Sequence, residues 1–140
     1  MRTRTKILVV DDSSDFQLFM KAFLDEEHYA VLSSRDTLQA TGIALRDKPA
    51  LIVLDLGLPG GDGWMLLDRL KTNILTKHIP IVIVTGQTKT DLEHKSRSKG
   101  AAGFFSKPLD KNAFIGALTA ILAPESQFPT PLLPTPPLTT

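Results

Sequence analysis

The stretch Ala50–Gly63, ALIVLDLGLPGGDG, most limits what this chain can fold into. Ala50 to Leu54 is an unbroken apolar run that stops at one carboxylate, Asp55. Gly57, Pro59, Gly60, Gly61 and Gly63 come next, a density that neither a helix interior nor a central strand tolerates. An apolar run bounded by turn residues is what a strand of a parallel sheet, covered on both faces, requires. The strand ends with an acid above a glycine-rich loop. In open α/β sheets, ligands bind at that carboxyl edge. The competing reading makes Asp55 only a cap for the segment after it.

The rest of the chain repeats the pattern. Lys6–Val10 is a second apolar run and ends at Asp11 and Asp12. Ser13 or Ser14 can cap a helix over about 14–27, with Phe16, Phe19, Met20, Phe23 and Leu24 at helical spacing. Tyr29–Leu32 is a weaker strand candidate. Asp36 or Ser34 can cap a helix carrying Leu38, Thr41, Ala44 and Leu45, which Lys48-Pro49 breaks. Trp64–Leu70 predicts a helix with Leu66, Leu67 and Leu70 turned inward. Thr72–His78 is a polar connection, and Ile79–Val84 is a strand ending at Thr85-Gly86. A helix is expected over Thr88–Lys99, although Leu92 is almost its only large apolar residue. Such a polar helix is weakly held. Gly103–Ser106 is a short fifth strand followed by Lys107-Pro108. Asp110 caps a last helix with Phe114, Ile115, Leu118, Ile121 and Leu122 on one face.

Five repeats of strand then helix predict an α/β fold with a parallel sheet, because parallel neighbours need crossover helices. By analogy, five such strands fit a flavodoxin-like, doubly wound sheet of order 2-1-3-4-5 with helices on both faces. That order sets the ends carrying Asp11, Asp12 and Asp55 side by side.

Composition narrows the function. A net charge of +1 with scattered basic residues argues against nucleic acid. With no cysteine, disulfides, zinc-thiolate sites and thiol catalysis are excluded. The apolar run at Ile7–Val10 is too short for a signal peptide, and nothing approaches a membrane span, so a cytoplasmic location is expected. At 140 residues, one core-forming domain is expected over 1–123. Residues 124–140 hold six of the ten prolines and no periodic pattern. They read as a Pro-rich disordered tail or linker. Pro131, Pro134 and Pro137 also match the PxxP pattern of a polyproline ligand.

Asp11, Asp12, Asp55, Thr85 and Lys107 therefore collect at strand ends. Carboxylates about 4 Å apart repel by roughly 4 kcal/mol at an effective dielectric near 20. The cluster needs a cation or raised pKa values, and for a cation the oxygen ligands favour Mg²⁺ beside Lys107. A metal, a lysine, a hydroxyl and a carboxylate make a site for a phosphoryl group, with one Asp as nucleophile.

On these residues the chain resembles the receiver domain of two-component response regulators. The matching features are Asp11-Asp12 after strand 1, the D-x-x-L-P-G-x-D-G stretch from Asp55, Thr85-Gly86 after strand 4 and Lys107-Pro108 after strand 5. The resemblance implies a phosphorylation-dependent signalling switch that catalyses only its own phosphorylation and dephosphorylation, not an enzyme acting on other substrates. Asp55 would be the phosphoacceptor. Asp12, Asp55 and the Gly57 carbonyl would bind Mg²⁺ directly, and Asp11 through water. Lys107 and Thr85 would bind phosphoryl oxygens, Phe104 would be the aromatic switch, and Lys107-Pro108 a cis peptide. The partner would be a histidine kinase or histidine phosphotransfer protein, with an output domain or protein downstream. The signal would be carried by the face of helix 4, strand 5 and helix 5. Gly57 and Gln87 depart from the family, which commonly has a side chain at the first position.

The rival reading is a Mg²⁺-dependent, Asp-nucleophile phosphatase of the haloacid-dehalogenase type. It needs an acid two residues after the nucleophile, and both Asp55-Leu56-Gly57 and Asp11-Asp12-Ser13 lack one. A nucleotide-binding module would need a G-x-x-x-x-G-K-[ST] or G-x-G-x-x-G signature, and the chain has neither. His28, His78 and His94 share no metal-ligand spacing and read as surface residues.

Overall fold

The computed structural model describes residues 3–59, 62–87 and 91–123. Each apolar run becomes a strand: β1 (Lys6–Val10), β2 (Ala30–Ser34), β3 (Leu51–Leu54), β4 (Ile81–Thr85) and β5 (Gly103–Ser106). Every pairing is parallel, and the order is β2-β1-β3-β4-β5. All residues of β3 and β4 are buried, as the unbroken apolar runs require. The helices are α1 (Ser14–Glu26), α2 (Thr37–Asp47), α3 (Asp62–Thr72), α4 (Leu92–Ser98) and α5 (Lys111–Leu122).

Alternation along the strands splits the core into two layers. One face gathers Leu8, Val10, Ile52, Leu54, Ile81 and Ile83 against α2, α3 and Leu92 of α4. The other gathers Ile7, Val9, Leu51, Val53, Val82 and Val84 against Met20, Phe23 and Leu24 of α1 and Phe114 and Leu118 of α5. Fully burying one such side chain contributes roughly 1.5–3 kcal/mol. These two layers hold the strand ends, and so the loops, in place.

Local chemistry sets the helix starts. Ser13 caps α1 by accepting from Phe16 N at 3.1 Å. Asp36 caps α2 and Asp110 caps α5 in the same way, each accepting from the amide three residues on. Lys48 ends α2 in the left-handed region, with φ 46°.

Several expectations are corrected. The inward face of α2 is Ala40, Ile43 and Ala44, while Leu38 is 82% exposed. Small residues let α2 lie close to the sheet, and the large leucines point away. β2 runs to Ser34, not Leu32, because Asp11 N and the Gln17 side chain bond the Ser34 carbonyl. α3 begins at Asp62 rather than Trp64, and β4 begins at Ile81 rather than Ile79. The described part of α4 is Leu92–Ser98; the expected start at Thr88 lies outside the described residues, as does the 124–140 segment.

Candidate functional site

The site grows out of the carboxyl edges of four strands. Asp55 follows β3 directly, and its amide donates to the Val10 carbonyl at 3.1 Å. This bond continues the β1–β3 pairing and sets Asp55 beside Asp11. Asp11, Asp12 and Asp55 each place a carboxylate oxygen within 4.8 Å of the others. Asp11 is 1% and Asp55 7% exposed, whereas Asp12 faces solvent.

Lys107 crosses the sheet edge to reach them. Its Nζ donates to Asp11 Oδ2 at 2.7 Å and lies 3.4 Å from Asp55 Oδ2. The ammonium also sits 4.2 Å from the centre of the Phe16 ring. The ammonium thus pairs with two of the three carboxylates, Asp11 and Asp55. Burial raises the pKa of Asp11 above the ordinary carboxylate value, and the nearby charge of Asp55 adds to that. The bonds from Lys107 and from the Ser13 amide act in the opposite direction.

The loop after β3 is pinned from below. Leu56 and Leu58 are buried in the core, while Gly57 between them is exposed and donates its amide to Asp55 Oδ1 at 2.9 Å. A Cβ at Gly57 would lie 3.4 Å from Asp55 Oδ1 and 3.6 Å from Gln87 Nε2. The two positions that depart from the resembled family thus meet over the same carboxylate.

Thr85 is fully buried at the end of β4. Its hydroxyl accepts from Gln87 N at 3.3 Å, and its carbonyl accepts from Lys107 N at 2.9 Å. That second bond ties the Thr85 and Lys107 main chains together. Phe104 is partly buried on the α2–α3–α4 face, which strand alternation makes the face of Thr85 as well. Phe105 points the other way and meets Phe114 edge-on at 5.4 Å. The Lys107–Pro108 peptide is cis. Pro108 and Leu109, with Lys107, Phe16 and Phe19, line a cleft of about 260 Å³ beside the acids.

Two features escape a reading of residue types alone. Gln17, on α1, bonds the ends of both β1 and β2. Gly63 packs against the main chain of Asp55 and Leu56. The glycine was visible as part of the D-x-x-L-P-G-x-D-G stretch, but its reason was not. Gln17 carries no sequence signal, because a glutamine on a helix is ordinary.

The profile of the response regulator receiver domain matches residues 7–119. The chain therefore belongs to the receiver domain family of two-component response regulators. It is 36% identical over 105 residues to the response regulator PleD of Caulobacter vibrioides, covering 75% of this chain and 23% of that protein. It is 32% identical over 105 residues to sporulation initiation phosphotransferase F of Bacillus subtilis, covering 75% of this chain and 83% of that one. Against PleD the match spans less than a quarter of the relative's length. Among solved structures, the receiver domain of Klebsiella pneumoniae RstA, described as BeF3-activated, superposes with TM-score 0.78 at 26% identity, over 85% of this chain and 99% of that one. The chemotaxis regulator CheY4 of Vibrio cholerae shares the fold, with TM-score 0.77 at 24% identity over 86% of this chain and 100% of that one.

Proposed function

We propose that the chain is a phosphorylation-dependent switch in which Asp55 accepts a phosphoryl group from a phosphohistidine on a partner. The observation that carries this is the convergence of Asp11, Asp12 and Asp55 on one point with the Lys107 ammonium between Asp11 and Asp55. Asp55 Oδ would attack phosphorus, forming an acyl phosphate as the bond from phosphorus to the donor imidazole breaks. The electron pair of that bond leaves with the imidazole nitrogen. Water would later attack the same phosphorus and restore the carboxylate.

The donor set fits a hard cation: oxygen ligands only, carrying charge, within 4.8 Å of one another. Asp12, Asp55 and the Gly57 carbonyl would hold Mg²⁺ directly and Asp11 through water. When bound, the ion would neutralise the carboxylates and the phosphoryl oxygens. Lys107 would move from Asp11 to a phosphoryl oxygen, a shift that the longer 3.4 Å contact to Asp55 leaves room for. Thr85 would bond a second oxygen. The open position above Gly57, approached by Gln87, would set how readily water reaches the acyl phosphate.

Phosphorylation adds roughly −1.5 to −2 charge and three acceptors. Moving a two-state element from mostly one state to mostly the other takes about 5.5 kcal/mol. A few charge-assisted bonds at roughly 1.5–3 kcal/mol each suffice. α4 yields most cheaply, since only Leu92 and Ser96 of its described residues are buried. The face of α4, β5 and α5 would carry the signal, with Phe104 turning as Thr85 moves inward.

The partners would be a histidine kinase or histidine phosphotransfer protein and a downstream output domain or protein. The receiver would occupy 1–123, with 124–140 as tail or linker. No helix among the described residues is long and apolar enough to cross a membrane, and a cytoplasmic location is the one that suits the partners proposed.

The test is labelling with a small acyl phosphate and Mg²⁺, read by intact mass. One phosphoryl group per chain is expected, and none on Asp55→Asn. Unchanged labelling of that variant refutes the assignment. Thr85→Ala should still label but should lose the change in amide hydrogen exchange around 86–106.

A further inference from the structure

We infer that Gln17 is a positioning residue for the acidic cluster: its side-chain amide clamps the main chain at the ends of β1 and β2 and so places Asp11 and Asp12 for a divalent cation. The inference rests on the reading of the cluster as a Mg²⁺ site.

Three carbonyls converge on one nitrogen. Gln17 Nε2 donates to Val9 O at 3.0 Å, Asp11 O at 3.0 Å and Ser34 O at 2.9 Å. The nitrogen has two hydrogens, so the three acceptors share them. Ser34 O also accepts from Asp11 N at 3.0 Å, which closes a small ring of main-chain bonds around the amide. The other side of the amide shows that its orientation is imposed. Gln17 Oε1 is buried without a hydrogen-bond partner among the described residues. Turning the amide over would set that oxygen against three carbonyl oxygens. The side chain therefore leaves one buried acceptor unmet in order to donate to the strand ends.

The clamp matters because of what it holds. Asp12 is exposed, and among the described residues no side chain bonds its carboxylate. Its position depends on its main chain. That main chain is held by the Gln17 bond to Asp11 O on one side and by Arg35 Nη2, which donates to Asp12 O at 2.9 Å, on the other. A hard cation with strict geometry binds best to oxygens already in place, and loss of groups that orient metal ligands typically costs tenfold or more in affinity. An amide also does this without adding a positive charge beside the cation.

The experiment compares Mg²⁺ affinity, by calorimetric titration, in wild type, Gln17→Met and Thr76→Val, with the thermal midpoint of each in EDTA. Met keeps the length of Gln without its donors. Thr76 is a buried hydroxyl bonded to Leu70 O in the α3–β4 connection, and serves as a variant that loses stability elsewhere. Gln17→Met should bind Mg²⁺ roughly tenfold more weakly, whereas Thr76→Val should keep wild-type affinity. Should Gln17→Met fail to fold, Gln17→Asn keeps the amide but shortens its reach by one methylene, and the same loss is expected. Wild-type affinity in a folded Gln17 variant, or an equal loss in Thr76→Val, overturns the clamp. Absence of Mg²⁺ binding in wild type, or its persistence in Asp12→Ala, instead overturns the cation site on which the clamp rests.

Discussion

Replacing Gly63 with alanine should damage both the fold and the site, and the structure says by how much. Gly63 is the second residue of α3 and sits directly on the segment that carries Asp55. An added Cβ would lie 2.6 Å from Leu56 Cα, 2.7 Å from Asp55 O and 2.9 Å from Leu56 O. Ordinary contact begins at 3.4 Å, so the two segments must part by about 0.8 Å. None of these atoms is the tip of a flexible side chain. All belong to main chain, and Leu56 is itself 1% exposed. Overpacking of this kind costs about 1–3 kcal/mol, and an obstacle that cannot rotate away argues for the upper end. Alanine recovers at most about 1 kcal/mol through its better helix propensity. The net loss is about 2 kcal/mol, or about 6 °C in thermal midpoint for a chain of this length.

The same displacement shifts the Gly57 carbonyl and the Asp55 carboxylate relative to Lys107, so Mg²⁺ affinity should fall as well. Thermal melts monitored by circular dichroism, with and without Mg²⁺, read both effects. Gly42→Ala and Gly116→Ala are the controls, since a Cβ at either position meets nothing within 4 Å. Both lie in helices and should gain about 0.5–1 kcal/mol. A Gly63→Ala midpoint within about 1–2 °C of wild type would refute the close-approach argument.

Two further substitutions test the electrostatics and the α3–β4 connection. Because burial raises the pKa of Asp11, the folded state binds its proton more tightly than the unfolded state, and the penalty for ionising it is absent at low pH and grows as pH rises through the folded pKa. In EDTA, Asp11→Asn should therefore melt higher than wild type at neutral pH, with the difference fading as pH drops to about 4, the unfolded carboxylate range; a variant that melts lower at neutral pH contradicts this. Lys71 Nζ donates to Lys77 O at 2.7 Å and Ile79 O at 3.1 Å, so Lys71→Met should cost about 1 kcal/mol by leaving both carbonyls to solvent, and denaturant unfolding measures it.

The residues of the candidate site were legible because they interrupt patterns. Asp11, Asp55, Thr85 and Lys107 each stand where an apolar run stops, and a polar residue at that point must be explained. Strand positions were legible for the same reason, since unbroken apolar runs in β3 and β4 admit few other structures. The face of α2 was legible only in part: of Leu38, Thr41, Ala44 and Leu45, the structure buries Ala44 alone. Leu38 and Leu45 are exposed, and the sheet there admits Ala40 and Ala44 and a single larger residue, Ile43. The space available to a helix belongs to its neighbours, and no local spacing reports it.

The placement of the site was hidden for a related reason. Gln17 lies within a regular helix, and nothing in its own neighbourhood marks it. Its role exists only because the order β2-β1-β3 brings the Ser34 carbonyl beside those of Val9 and Asp11. Gly63 matters only because α3 returns across the end of β3. Both act on residues that the sequence itself marks, and both do so through main-chain atoms that every sequence shares. A group that reacts needs a particular side chain and so leaves a trace in the sequence. A group that positions it needs only a donor of the right reach, or the absence of a Cβ, at one point in space. Substitutions at positions 17 and 63 should therefore change cation affinity while leaving every proposed ligand intact.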